Sequence, residues 1–134
     1  MTGTLIFKPI EAKFYDSKDF SSGIYPTCKI RTGWHSAEVV ISKFMGKSLF
    51  WSDQIVLKRK HEEMTATIKV KSLSGLVFSK KLGKAKIDLG GALIRGKSSQ
   101  WYNLYKRGRV VGEISLEIVY ESDVEAERRG LKMI

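Results

Sequence analysis

Apolar and polar residues alternate with a period of two along most of this chain, and little of it before the C-terminus has helical spacing. From Thr4 to Phe14, Ile6, Ile10, Ala12 and Phe14 fall on one parity and predict a first strand. Tyr15 to Gly23 (YDSKDFSSG) is turn chemistry, rich in Asp and Ser that bond their own backbone. Tyr25 to Arg31 sets Cys28 and Ile30 on one side and Tyr25, Thr27, Lys29 and Arg31 on the other, a second strand that Gly33 breaks. Trp34 to Ile41 and Phe50 to Lys58 predict the third and fourth strands, around a turn at Gly46-Lys47-Ser48. Past the polar turn His61-Glu62-Glu63, Ala66, Ile68 and Val70 alternate with Thr67, Lys69 and Lys71 in the clearest half-buried strand, the fifth. Leu73 to Lys81 predicts a loop with an apolar tip, and Ala85, Ile87 and Leu89 alternating with Lys84, Lys86 and Asp88 predict a sixth strand. Gly90 to Ser99 is a connection and Trp101 to Tyr105 a short aromatic segment. Gly112 to Tyr120 is a last strand with Ile114, Leu116, Ile118 and Tyr120 inward. Seven or eight short strands without intervening helices describe an all-β antiparallel sandwich or barrel. Residues 1–120 make up this domain, and residues 121–134 a charged, weakly helical C-terminal tail or linker.

Composition narrows the class. The 134 residues are 43% hydrophobic and 28% charged, which fits one ordered domain that buries about two-thirds of the surface of its unfolded chain. No apolar run approaches the roughly 20 residues of a spanning helix. The first residues lack a secretory pattern, and a single cysteine, Cys28, forms no internal bridge, so the expected compartment is reducing and cytoplasmic, with peripheral membrane contact allowed. The net charge is +10. Residues 1–112 hold 21 Lys+Arg and 8 Asp+Glu, whereas residues 113–134 hold 3 and 6, so the positive charge belongs to the body. Such a surface attracts nucleic acid, anionic lipid or acidic protein, or merely keeps a β-rich domain soluble.

Enzyme signatures are missing. Gly91-Ala-Leu-Ile-Arg-Gly96-Lys97-Ser98 matches the phosphate-cradling pattern G-x-x-x-x-G-K-[ST]. That loop must leave a buried parallel strand and open a helix, but Trp101, Tyr102 and Tyr105 follow within ten residues and no crossover units fit in the 36 residues left, so the match is read as chance. His35 and His61 have no Cys or His neighbours at ligand spacing, and Cys28 has the inward parity of a packed thiol. No catalytic residue, metal ligand set or cofactor is expected.

The order of the pieces over residues 4–120 resembles the C2 domain family. Leu5–Phe14 resembles its first strand. Ser22-Gly23-Ile24-Tyr25 stands where its S-D-P-Y lies, and Phe50-Trp51-Ser52-Asp53 looks like its N-P-x-W-x-E strand start. Ile68-Lys-Val70 with Leu82-Gly83-Lys-Ala85 resembles its L-x-V-x-D … I-G-x-A pairing. Trp101-Tyr-Asn-Leu104 with Gly112 to Tyr120 is similar to its closing W-x-x-L … G-x-I-x-L-x-I-x-Y. The resemblance implies an eight-stranded antiparallel β-sandwich, with the beginning at strand one suggesting the permuted, type II topology, and it implies a core position for Trp51 and Trp101. Family members that bind calcium use about five loop carboxylates, because the ion takes six to eight oxygens. Here those positions fall to Gly23, Ser72, Ser74 and Lys80, with Asp16 and Asp19 in the first loop, which implies a calcium-independent member.

In that fold the second, third, fifth and sixth strands share a sheet. The resemblance with the parity then gathers Tyr25, Lys29, Arg31, Lys69, Lys71, Lys84 and Lys86 on one outward face as the expected lipid- or partner-binding site, with Glu38 as an opposing charge. Leu76, Val77 and Phe78, with Lys80 and Lys81, form an apolar tip flanked by cations, suited either to membrane contact or to capping the sandwich end. The expected function is a non-enzymatic module docking on anionic phospholipid, phosphoinositide or phosphatidylserine among them, as part of a larger complex or chain. The alternative is a protein-docking scaffold that grips an acidic or phosphorylated partner segment. Nucleic acid is disfavoured, since Tyr25 is the one clear aromatic among the cations.

Overall fold

The computed structural model describes residues 2–16, 18–20, 25–41, 43–60, 62–74 and 78–132, with side chains at all of these except 25, 73, 74, 78, 79 and 129–132. In chain order the elements are β1 (Gly3–Phe14), β2 (Tyr25–Thr32), β3 (His35–Val40), β4 (Lys43–Met45), β5 (Ser48–Phe50) and β6 (Ile55–Arg59). They continue with β7 (Thr65–Ser74), β8 (Phe78–Asp88), α1 (Gly90–Arg95), β9 (Lys97–Lys106), β10 (Arg109–Ser122) and α2 (Asp123–Lys132). The strands form one curled antiparallel sheet in the order β3-β2-β7-β8-β9-β10-β1-β5-β4, with β6 also on β1. β8 meets β9 through the single pair Lys84–Tyr105, whereas β9 and β10 pair along their lengths. This narrow seam folds the sheet over, and β6 approaches β3 on the far side. The result is the expected all-β sandwich.

Leu5, Phe7, Ile30, Ile68, Ile87, Leu104, Ile114, Leu116 and Ile118 are fully buried between the layers, each contributing about 1.5–3 kcal/mol. Cys28 lies among them, and burial pushes its thiol pKa up, which makes it an inert packing group. Trp51 is buried, as expected.

β1 departs from strict alternation. Its pairing with β10 slips between Pro9 and Glu11, so Ile10 is an extra residue. Leu5 and Phe7 therefore point inward before this bulge, and Ala12 and Phe14 after it, while Ile10 is 43% exposed. The single parity expected for Ile6, Ile10, Ala12 and Phe14 holds for the last two alone. The bulge also divides one edge of β1 between two partners, β6 along Gly3–Phe7 and β5 along Glu11–Lys13, and the Ile10 carbonyl accepts a bond from the Trp51 amide.

Other segments are more ordered than the pattern suggested. Phe50–Lys58 divides into β5 and β6, and the connection at 90–99 holds α1 and the start of β9. Trp101, expected in the core, stands on the outer side of β9 with the Lys13 ammonium 4.9 Å from its ring centre. The nucleotide-loop match fails on geometry: α1 precedes strand β9, the reverse of a phosphate loop, and the Leu93 and Gly96 amides bond the Leu89 and Ala92 carbonyls. The tail begins as the last residues of β10 and continues as α2. Ser122 and Glu125 form a reciprocal cap there, the Ser hydroxyl accepting from the Glu125 amide at 3.1 Å and the Glu carboxylate from the Ser122 amide at 3.4 Å. Asp123 accepts from Thr2 at 2.6 Å and Lys58 at 3.3 Å, and these donors hold its carboxyl below the usual range.

The bulge sets the mutational pattern of β1. Phe7→Ala should cost about 3–5 kcal/mol and Ile10→Ala less than about 1 kcal/mol, read from urea midpoints at constant slope. A strand without the bulge would bury Ile10 and make both costly.

Candidate functional site

The ladders bring six of the expected cations together. Lys29 of β2 lies opposite Lys69 of β7, which lies opposite Lys84 of β8. One row away, Arg31 faces Thr67, which faces Lys86; on the other side Thr27 faces Lys71. Neighbouring strands are about 4.8 Å apart and same-face residues about 6.8 Å, so these groups lie within one or two Debye lengths of each other. Glu38 of β3 lies opposite Lys29 at the edge of the same row. Tyr25 begins β2 opposite Leu73, but its side chain lies outside the described residues.

A second bulge adds a residue that simple alternation assigned elsewhere. Between Val70 and Lys71 the β7–β8 register shifts, leaving Leu82 as the extra residue and setting Lys81 opposite Lys71. Lys81 thus belongs to the basic face rather than to a loop tip. Lys80, one residue earlier, lines a cavity of about 270 Å³ with Phe14, Asp16, Phe20, Leu82, Lys106 and Val111. Leu76 and Val77 lie outside the described residues, as does the side chain of Phe78, the first residue of β8.

The β9–β10 hairpin supplies cations that the pattern missed. Arg107 and Gly108 form its two-residue turn, with φ of 52° and 75°. Both central residues are left-handed, as in the tightest hairpins, where the first is normally Asn, Asp or Gly. Arg107, Gly108 and Tyr105 line one depression with Lys81, Lys84 and Lys86, and Lys106, Arg107 and Arg109 line another. An Arg-Gly pair between two alternating runs was the available signal.

The two layers differ in how they pair charge. On the β1–β10 side, Lys13 faces Glu113 and Lys8 faces Glu117, and Glu117 also lies 3.6 Å from Lys97. Such opposite-sign pairs across strands are stabilising. On the β2–β7–β8 side, lysine faces lysine. Partial burial, then repulsion from Lys84, Lys71, Arg31 and Lys81, holds the Lys69 ammonium below the ordinary lysine pKa.

Searches against family models and against curated proteins find no match. Solved structures do match. A C2 domain-containing protein from an elicitor-responsive gene superposes with a TM-score of 0.75 at 20% identity, over 91% of this chain and 90% of that one. A C2 domain of a plant extended synaptotagmin 1 gives 0.69 at 17%, over 90% and 95%. The chain has the C2 fold. The calcium-bound pair of C2 domains of extended synaptotagmin 2 matches at 0.67 and 20%, over 88% of this chain and 45% of that two-domain structure.

Within the C2 fold, the end where the resemblance places calcium is built, among the described residues, from the end of β1 with Asp16 and Phe20, the start of β8, the β9–β10 turn and the β4–β5 hairpin. The hairpin packs against Tyr15 and Phe20, the Phe20 amide donating to the Gly46 carbonyl and the Lys47 ammonium to the Tyr15 carbonyl. Of the expected ligand positions, Ser72 is buried, the Ser74 side chain and Gly23 lie outside the described residues, and Lys80 shares its cavity with Asp16. Lys106 joins them, so two ammonium groups and one carboxylate line this space.

The lowered Lys69 pKa means that the unfolded chain holds this proton more tightly than the fold does. Stability is therefore reduced while Lys69 is charged and recovers as pH rises through its folded pKa toward about 10.4. Lys69→Met should raise the melting temperature at neutral pH and low salt, and the gain should shrink with added salt and in alkali. Arg107→Gly, which frees a left-handed position, should stabilise by up to about 1 kcal/mol. Both are read by thermal unfolding.

Proposed function

We propose that this chain is a non-catalytic, calcium-independent binding module of the C2 type that docks peripherally on anionic membrane lipid at the cytoplasmic side, through Lys29, Arg31, Lys69, Lys71, Lys81, Lys84 and Lys86. The observation that carries this reading is the charge asymmetry between the layers. Charges spread for solubility alone would be mixed on both, yet acids stand opposite Lys8 and Lys13 on the β1–β10 layer, while Lys29, Lys69 and Lys84 stand in line on the other, with Glu38 beyond Lys29 at the edge of that row. At about 1 kcal/mol per basic residue near an anionic surface, seven such groups bind usefully and with strong salt dependence.

The loop end supports calcium independence. A divalent cation needs several converging oxygens with offsetting charge, and here Lys80 and Lys106 bring positive charge to the space that Asp16 lines. In this reading Lys80 and Lys106 offer a second contact with the lipid surface. Among the described residues no helix is long and apolar enough to cross a membrane, and no three metal-binding side chains cluster.

Sedimentation with phosphatidylcholine vesicles, with and without phosphatidylserine, tests the proposal. Binding should require the anionic lipid, weaken steeply between low and physiological salt, and be the same in calcium and in chelator. Lys69→Glu/Lys71→Glu changes the local charge by four and should weaken binding about a hundredfold or more. Equal association with neutral vesicles, or none with either kind, would overturn the lipid reading.

A further inference from the structure

Among the described residues, the two most exposed large hydrophobic side chains lie at the end opposite those loops. β2 starts beside β7's last residues, Tyr25 opposite Leu73, and runs away from the β7–β8 connection past Lys29 and Arg31 to Thr32. The turn into β3 is Gly33-Trp34, with Gly33 at φ 57° as the first central residue of a two-residue hairpin. Trp34 is 91% exposed. At the same end, the connection after β8 carries Ile94, 87% exposed on α1. The Arg31–Thr67–Lys86 row is thus the last of the basic rows, and each of its outer strands continues into an exposed large hydrophobic residue.

We propose that the domain lies flat on the bilayer, its strands parallel to the surface and its basic face down, with Trp34 seated in the headgroup layer as an apolar anchor. This rests on the lipid reading above. Indole has a large apolar body and one polar N–H, which suits the boundary between headgroups and acyl chains. Trp34 sits at the tip of the hairpin, level with Gly33 and about 7 Å beyond Arg31 along the strand axis, and the basic rows reach about 14 Å back from Arg31 toward the loops. A plane that touches all three rows therefore runs past the Gly33-Trp34 turn. A bilayer contacted only by the loop end would stand across the strands and leave Trp34 in water. Cations draw the face down without fixing its depth, and a wedge of indole at one end fixes both depth and direction.

Tryptophan emission reads this directly. Trp51 is buried and Trp101 stands on the outer side of β9, so Trp34 is the reporter. On adding phosphatidylcholine/phosphatidylserine vesicles, the wild type should shift to the blue and be quenched by bromine-labelled acyl chains, and Trp34→Phe should lose both responses. Trp34→Ala, a change at an exposed turn, should weaken partitioning roughly tenfold with an unchanged salt slope. If the wild type binds anionic vesicles with the expected salt dependence but Trp34→Ala binds as tightly and Trp34→Phe keeps the full blue shift, the flat, anchored orientation is wrong while the basic face stands. If the wild type binds no vesicles, both fall.

Discussion

Everything in this molecule depends on one pleat having two incompatible sides. The apolar residues Cys28, Ile30, Ile68, Val70, Ala85 and Ile87 alternate with the cations of β2, β7 and β8 and are buried beneath them. Two unit charges about 5 Å apart at a wet surface repel by about 1 kcal/mol, less in salt, while each large apolar side chain contributes about 1.5–3 kcal/mol on burial. Burial wins, and the like charges have to share a face. A shift of one residue in register would put both sets on the wrong sides at once, so the core that holds the strands together also fixes the charge pattern.

Bulges tune that pattern. Leu82, the extra residue in β8, packs against the core and leaves Lys81 beside Lys71. Ile10 in β1 has the opposite fate, turned outward so that Leu5 and Phe7 on one side of it and Ala12 and Phe14 on the other all reach the core. The β9–β10 register slips between Val110 and Gly112 close to the same loop end. Each insertion re-aims the residues beyond it, which is how strands of modest length fill a sandwich and still crowd lysines and arginines on one face.

Much of this was legible in the chain. The alternation of Cys28 and Ile30, of Ala66, Ile68 and Val70, and of Ala85 and Ile87 fixes inside and outside for β2, β7 and β8, and the observed ladders set their cations in line. What alternation cannot show is an insertion within a strand, because both phases of β1 are apolar around the bulge: Ile6 and Ile10 compete with Leu5 and Phe7 for the core. β9 was hidden for another reason. Leu104 is its one fully buried large side chain, and the rest of Lys97–Lys106 is polar or aromatic and faces outward or along the seam. A strand held by its neighbour's backbone rather than by its own core residues leaves little hydrophobic signal. The same blindness concealed the cations of the Lys106–Arg109 turn, which become part of the surface only when β9 is placed beside β8.

The repulsion around Lys69 connects stability to function. In the free domain its ammonium is held below its ordinary pKa by partial burial and by Lys84, Lys71, Arg31 and Lys81, so the face is a standing cost to the fold. On the proposed reading, a phosphate group bound between these rows would offset that repulsion, raise the proton affinity of Lys69 and stabilise the folded form by mass action. The unfavourable electrostatic energy of the free surface would thereby be released on binding an anion. On the proposed reading, neutralising the face would give a more stable sandwich that binds less, and acids placed opposite its lysines, as Glu117 and Glu113 stand opposite Lys8 and Lys13, would have the same effect. The opposite arrangement on β2, β7 and β8 is what the proposed anion-binding role would require, because a cation already satisfied by its own fold has little left to offer a partner.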